Sequence, residues 1–525
     1  MAVGTALSRV TGLARLAAAA YALGVTESRI ADTYNIANTL PNVIYELVLG
    51  GVLTGVFIPV IVEELRTKPK DEAWESVSSL VTTAMAVLVA ISLLAVVAAP
   101  AVIRLFTLRL HGADATQQQE LATFFLRVFA PQIALYGYAA ISAALLNAHD
   151  RFAVPMFVPI LNNLVVIATF LAFAAVVTGN PTVAGVNAHL SWKLLLAAGT
   201  TAGVAVMALA NWPSVRRLSG RLRPRLRFRH PAVRKLGRLS MWTFGYVISN
   251  QITFGIALVL ANGVQGGPTA YFTAFAFFQL PYGIAAVSIM TALVPTLSAQ
   301  YVDRDDDAFR ARTAGGLRAM ALLMVPATAA YLVLSRPLIR TLLQHGVMQE
   351  ASSRLVASTL DMLALGLLPF SAFLLLLRAF YARQDTKTPL LVNMVSNAVY
   401  LIFSFALFEV YDVRGLALAH SVCYATAAGL AAYLLAKRIG GLEGQKTARQ
   451  LLKIGLASAA AAAAMLACLW AVSSITAGDV RAVLQLITGG AAGLGVYIVA
   501  ARALAVEDLS LFARLLPGRL GRLTR

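Results

Sequence analysis

Apolar runs fill this chain from end to end, broken at short intervals by prolines, glycines and small knots of charge. A helix needs roughly 20 apolar residues to cross a bilayer. Fourteen such runs can be marked, centred on 3–23, 40–63, 77–106, 121–147, 153–178, 190–212, 235–262, 268–298, 311–335, 353–381, 387–409, 414–436, 449–473 and 481–504. The pattern predicts an all-α polytopic membrane protein with about 14 transmembrane helices.

Charge falls between these runs, and unevenly. The connections after even-numbered spans are basic: Arg66, Lys68 and Lys70; Arg151; the stretch 216–238; Arg304, Arg310 and Arg312; Arg383 and Lys387; Lys437, Arg438, Lys446 and Arg449. Those after odd-numbered spans are poor in cations, with Arg29, Arg336 and Arg340 as exceptions. Basic loops stay in the cytoplasm, so both termini are expected there, in agreement with Arg514, Arg519, Arg522 and Arg525 in the tail. The net charge of +19 follows from this bias and needs no nucleic acid as partner. Ten Lys/Arg and no acid between Arg216 and Arg238 read as an anchor on anionic membrane lipids. Arginines inside the first run, and a second span directly after it, argue against a cleaved signal peptide.

The basic stretch also marks a midpoint between two similar halves. Leu40-Pro41 matches Leu280-Pro281, Ile58-Pro59 matches Val294-Pro295, and His111-Gly112 matches His345-Gly346. Ala99-Pro100 with Arg104 matches Arg336-Pro337 with Arg340, and Ala130-Pro131 matches Leu368-Pro369. The run Asn147 to Pro155, then Asn163, matches Tyr381 to Pro389, then Asn397. The offset stays between about 234 and 240 residues throughout. Two pseudo-symmetric six-helix lobes are therefore expected, 1–215 and 232–440, joined by the 216–238 loop, with 441–525 carrying two further helices and the basic tail. Parallel repeats of this kind place a substrate site between their halves.

Composition sharpens this picture only slightly: 59% of residues are hydrophobic and 13% charged, with mean hydropathy +0.75. Cys423 and Cys468 both sit in apolar runs and form no disulfide framework or zinc site. The informative residues are the ionisable ones inside the first two spans, Arg9, Arg15 and Glu46. A charge at mid-membrane costs at least about 2.5–3.5 kcal/mol, so such residues face a wet cavity or a partner. Ser8, Gly12 and Arg15 share one stripe of a helix, with Arg9 about 120° away. Two cations within two turns line one cavity only if it is broad or the helix bends near Gly12, and a wide positive chamber suggests an anionic substrate.

Ser8-Arg9-Val10-Thr11-Gly12-Leu13-Ala14-Arg15, Leu40-Pro41-Asn42, Phe57-Ile58-Pro59-Val60, Leu145-Leu146-Asn147 with Phe152 and Pro155, and Tyr381 to Pro389 together resemble the MurJ/MviN family of the MOP flippase superfamily. The likeness covers essentially the whole chain. It implies the MOP flippase fold, with the last two helices forming a groove for a lipid tail. It also implies alternating-access transport, without ATP, of lipid II, the undecaprenyl-diphosphate-linked peptidoglycan precursor, from the inner to the outer leaflet of the bacterial plasma membrane. Arg9, Arg15, Asp32 and Asn42 fall on family positions. Leu16, Tyr45, Gly50-Gly51, Ala276 and Gln279 stand where the common pattern has charged residues or an acid before glycine, which is more like the actinobacterial branch.

The candidate substrate-binding set is thus Arg9, Arg15, Asp32, Asn42, Glu46, Asn250, Gln251 and Gln279. Each also has a plainer reading. The arginines can snorkel to headgroups, Glu46 can neutralise one of them, and the amides can bond between helices. Arg318 and Asp361 are ionisable groups inside spans that could meet as an ion pair. Asp303-Arg304-Asp305-Asp306-Asp307 reads as the charged start of a helix rather than a metal-diphosphate motif. Gly489 and Gly493 read as helix packing. No Walker motif, catalytic triad or metal spacing is present, so an ATPase or enzyme is not expected, and neither is a cofactor. Coupling to membrane potential or an ion gradient and contacts with cell-wall synthesis proteins complete the expectation. A flippase for another polyprenyl-linked glycan and an ion-coupled drug exporter are the alternatives.

Overall fold

Every regular element of the computed structural model, among the described residues, is a helix. The structure describes residues 2–45, 61, 63–64, 67–177, 179–218, 222–227, 231–475 and 478–507. In hydrocarbon each backbone N–H and C=O must be satisfied within its own segment, and a helix does this. Nine helical stretches among the described residues are long and apolar enough to cross a membrane, or ten if a bent pair at 350–382 is counted as one.

The first compact unit comprises Met1–Thr269 with His345–Gln349. It contains α1 (Ala2–Leu23), α2 (Ile30–Tyr45), α3 (Lys70–Phe106), α4 (Gly112–Phe129), α5 (Gln132–Ala148) and α6 (Ala153–Val176). After these come the short α7 (Val183–Ala188), α8 (Leu190–Leu209), the short α9 (Trp212–Arg216) and α10 (Pro231–Asn262). Helix α1 packs along α6, which also packs on α8, and α2 packs on α4. Trp74, Leu80, Leu88, Ile133, Ile141 and Leu145 centre a core between α3 and α5.

The second unit comprises Ala270–Gln344 and Glu350–Arg525. Helix α11 (Gly267–Pro281) enters it and passes through a π-type turn, Tyr282–Ala286, into α12 (Val287–Val302). The turn follows directly on Pro281, whose missing N–H disrupts the regular ladder. Then follow α13 (Asp306–Leu343), α14 (Glu350–Ala364), α15 (Leu367–Ala382), α16 (Lys387–Ile439), α17 (Gly444–Ile475) and α18 (Gly478–Ala503).

Helix α16 joins the predicted spans 387–409 and 414–436 into one run that turns at Asp412 (φ 53°, ψ −135°). Gly415 makes the turn possible, because a Cβ there would lie 2.2 Å from the carbonyl oxygen of Leu407. Helices α17 and α18 pair closely, and a Cβ at Gly493 would lie 2.1 Å from Cε of Met465. The small pair Gly489/Gly493 therefore receives its neighbour's side chains.

Several matched positions of the sequence repeat share a backbone conformation. Asp150 and Gln384 both have φ 58°, and Gly112 and Gly346 have φ 74° and 63°. Helix α5 ends with Arg151 N donating to Leu146 O at 2.8 Å; α15 ends with Asp385 N donating to Phe380 O at 3.0 Å.

Candidate substrate site

The first hairpin is held at its turn and polar along its length. Its turn, residues 24–29, is fastened on all sides within the first unit. Glu27 accepts from Val25 N at 2.6 Å and from Gln349 N at 2.7 Å. Val347 N donates to Tyr21 O at 3.0 Å, Gln265 Nε2 to Thr26 O at 2.8 Å, and Arg29 Nη1 to Asn262 O at 3.1 Å. Asp32 is fully buried one turn further on. Its carboxylate accepts from Gly266 N at 2.7 Å, Thr269 N at 3.2 Å and Thr269 Oγ1 at 2.7 Å. Those amides begin α11 and have no partner inside their own helix, so Asp32 caps a helix that starts 234 residues away. Asn35 adds a 3.0 Å bond to Thr269 Oγ1, again 234 residues apart, the offset of the repeat.

Among the described residues, Arg15 and Asn42 are linked only through Tyr136. The charge of Arg15 acts on the phenols of Tyr34 and Tyr136, and Tyr136 bonds to the side chain of Asn42. Tyr34 is fixed in turn by Thr200 Oγ1 at 2.9 Å and by edge-on contacts with Phe125, Phe129 and Phe170. Among the described residues no carboxylate pairs with Arg15. Arg15 itself is half-buried on α1. Asn163 of α6 donates to Thr11 Oγ1 at 3.0 Å and Ser8 O at 3.3 Å, fixing the azimuth of α1 and hence of Arg15.

The remaining candidates separate. Arg9 is half-buried on α1, and Asn250 and Gln251 are half-buried on α10. Gln279 is exposed on the part of α11 that belongs to the second unit. Glu46 lies outside the described residues. Arg318 does not meet Asp361. It pairs with Glu443 at 2.7 Å, at the start of α17, while Asp361 lies beside Ser335 and Arg336. Asp305 caps α13 through Ala308 N at 2.9 Å, and Asp306 and Asp307 pair with Arg383 at 2.7 Å and Arg310 at 2.8 Å.

Tyr34, Tyr136 and Thr200 carry no mark in the sequence, and Asn163 marks only the repeat. Lone hydroxyls and amides in apolar spans are commonplace, and what singles these out is their convergence. One signal was available: Asn35, Asn38 and Asn42 recur at three and four residues, a polar stripe along α2.

The family model for the lipid II flippase MurJ matches residues 19–488 of this chain. A probable lipid II flippase MurJ of Haemophilus influenzae is 29% identical over 481 residues, covering 88% of this chain and 90% of that protein. The lipid II flippase MurJ of Burkholderia cenocepacia is 28% identical over 411 residues, covering 76% of each. Among solved structures, an inward closed conformation of lipid II flippase MurJ superposes with TM-score 0.76 at 21% identity, covering 96% of this chain and 99% of that one. An inward-facing multidrug resistance MATE transporter of the MOP superfamily gives 0.66 at 13% identity, covering 84% and 99%. The fold is shared across both.

Proposed function

This chain belongs to the lipid II flippase MurJ family, and we propose that it carries lipid II from the inner to the outer leaflet by alternating access. The observation that carries this reading is Arg15: a half-buried arginine in an apolar helix whose charge reaches Tyr34 and Tyr136, with no carboxylate partner among the described residues. A diphosphate offers oxygens that a planar guanidinium can grip two at a time, a geometry that an ammonium cannot reproduce. Arg9, half-buried on the same helix, supplies a second cation. Asn42, Asn250, Gln251 and Gln279 are proposed to meet the sugar or peptide portion, and Glu46 to balance an arginine.

Asp32 takes a different role in this scheme. It is buried beneath the hairpin turn, where it and Glu27 fasten the turn to 266–269 and 349, and passage of substrate on that side requires these bonds to part. The protein works as a transporter rather than an enzyme, in the bacterial plasma membrane, with both termini in the cytoplasm. Membrane potential or an ion gradient drives it, without ATP, and cell-wall synthesis proteins receive its product.

The test is complementation in a bacterium depleted of its own lipid II flippase, with outer-leaflet lipid II measured directly. Arg15→Ala at normal abundance is expected to abolish translocation, and Arg15→Lys to retain part of it. A fully active Arg15→Ala protein removes the arginine from the mechanism. A wild type that fails on lipid II but moves another polyprenyl-linked glycan overturns the substrate.

A further inference from the structure

The basic stretch after α9 is built into the first unit, not merely tethered to it. Residues 222–227 carry no helix and lie along the first half of α3, and two of their backbone amides donate to that helix. Arg223 N donates to Ser78 Oγ at 3.1 Å and Arg225 N to Thr82 Oγ1 at 3.1 Å. Two residues of extended chain advance roughly 6.6 Å, and four residues of helix advance roughly 6 Å. Hydroxyls at 78 and 82 therefore match amides at 223 and 225. Leu218 is buried in the core that holds Trp74, and Leu222 packs against it, so the apolar positions of the stretch anchor it while its arginines remain outside.

Between this strap, α9 and the first turns of α3 lies a cavity of 780 Å³. Trp74 and Leu218 line its apolar side, and seven charged groups line the rest. Most of the acids among them are already matched. Glu75 accepts from Arg225 and, at 2.7 Å, from Arg227, and Glu72 pairs with Lys68 at 3.3 Å. Among the described residues no carboxylate pairs with Lys70, Arg216 or Arg223, and only Asp71 is left on the acidic side. Arg216 is held in place by its stack on the Trp212 ring, 4.6 Å from the centroid. The cavity sits where the charged first turn of α3 gives way to an apolar stretch, the level at which a bilayer presents its phosphates.

We propose that this cavity binds the headgroup phosphate of an anionic phospholipid from the leaflet that faces the basic loop. Arg216 and Arg223 take the phosphate oxygens, and Lys70 adds a third cation. Trp74 and Leu218 accept the glycerol and the first acyl carbons. A loop that served only to set topology would need charge alone. This one has its backbone fixed to α3, two unmatched guanidinia set beside one cavity, and an apolar wall for a lipid to lie against.

The full-length protein, purified in detergent and stripped of lipid, is titrated with dioctanoyl phosphatidylglycerol while its thermal transition is followed. The expected result is a saturable rise in Tm that dioctanoyl phosphatidylcholine and inorganic phosphate do not produce at the same concentrations. Arg216→Gln with Arg223→Gln should weaken the apparent affinity at least about tenfold, the scale of lost hydrogen bonds to a charged group. The corresponding Arg→Lys pair should recover part of it. Wild-type affinity in the double variant overturns the site. Arg312→Gln, an exposed cation elsewhere in the sequence, weakening binding equally reduces the effect to net charge and also overturns it. Phosphatidylcholine binding as well as phosphatidylglycerol overturns the anionic class, and inorganic phosphate reproducing the shift makes this a small-anion site with no lipid role. If the double variant does not purify, the single exposed Arg216→Gln is read in the same way, and unchanged affinity there is fatal. None of these readouts involves translocation, so they stand or fall apart from lipid II transport.

Discussion

Two carboxylates at helix starts illustrate how differently the same group behaves when fully buried and when only partly buried. Asp32 meets three donors in the interior, so Asp32→Ala strands the buried amides of Gly266 and Thr269. An unsatisfied buried donor costs about 1–3 kcal/mol, and a clear fall in Tm is expected, with Asp32→Asn milder because an acceptor survives. A wild-type Tm in Asp32→Ala would mean that these bonds do not hold the turn. Asp385 lies in the turn before α16. Burial there raises its pKa, but hydrogen bonds from Thr388 and the adjacent Arg438 outweigh this and bring it to about 2. The stability it contributes is fully present above its unfolded value of about 4. It is lost as pH falls from there through about 2. Melting curves against pH should therefore show a smaller acid loss in Asp385→Asn; an unchanged acid limb would mean that this pair does not contribute.

Elements bend where side-chain size permits it. The turn inside α16 needs a residue without a side chain at 415, since the Leu407 carbonyl is backbone and cannot rotate away. Gly415→Ala should lower stability by about 1–3 kcal/mol or more, the range for overpacking, seen as a fall in Tm of the purified protein. Tolerance of alanine there would show that the two halves of α16 can separate. Gly493→Ala should act more mildly at the α17–α18 contact, because the atom its Cβ meets first is the mobile end of Met465.

For the whole molecule, topology and the repeat are the quantities to test. In a cysteine-free background, Leu226→Cys and Leu520→Cys should resist impermeant thiol reagents on intact cells, as cytoplasmic positions do. Labelling of either would reverse the orientation drawn from loop charge. The repeat proposes that 1–215 and 232–440 superpose with the same helix order. The shared left-handed residues Asp150 and Gln384, and Gly112 and Gly346, support it at the level of backbone. An experimental structure with different helix order or direction in the two halves would remove it.

The helical, membrane-spanning character of this chain follows from sequence alone, because runs of some 20 apolar residues have one stable state in a bilayer. The repeat was legible for a related reason: prolines and glycines mark bends and turns by local sterics, wherever the chain goes next. Arg15 stands out in the sequence because an ionisable group in an apolar span is costly, and Asn42 because it falls on a family position. Partnership was decided by tertiary structure. No local pattern announces that Gly266 and Thr269 donate to Asp32, and Arg318 reads as a possible match for Asp361 until Glu443 is found 2.7 Å away. Tyr34 and Tyr136 carry no mark in the sequence, since a phenol in an apolar helix is ordinary until the fold brings it within reach of a charge such as that of Arg15. Contacts between residues hundreds of positions apart depend on how helices pack, and no local pattern encodes that.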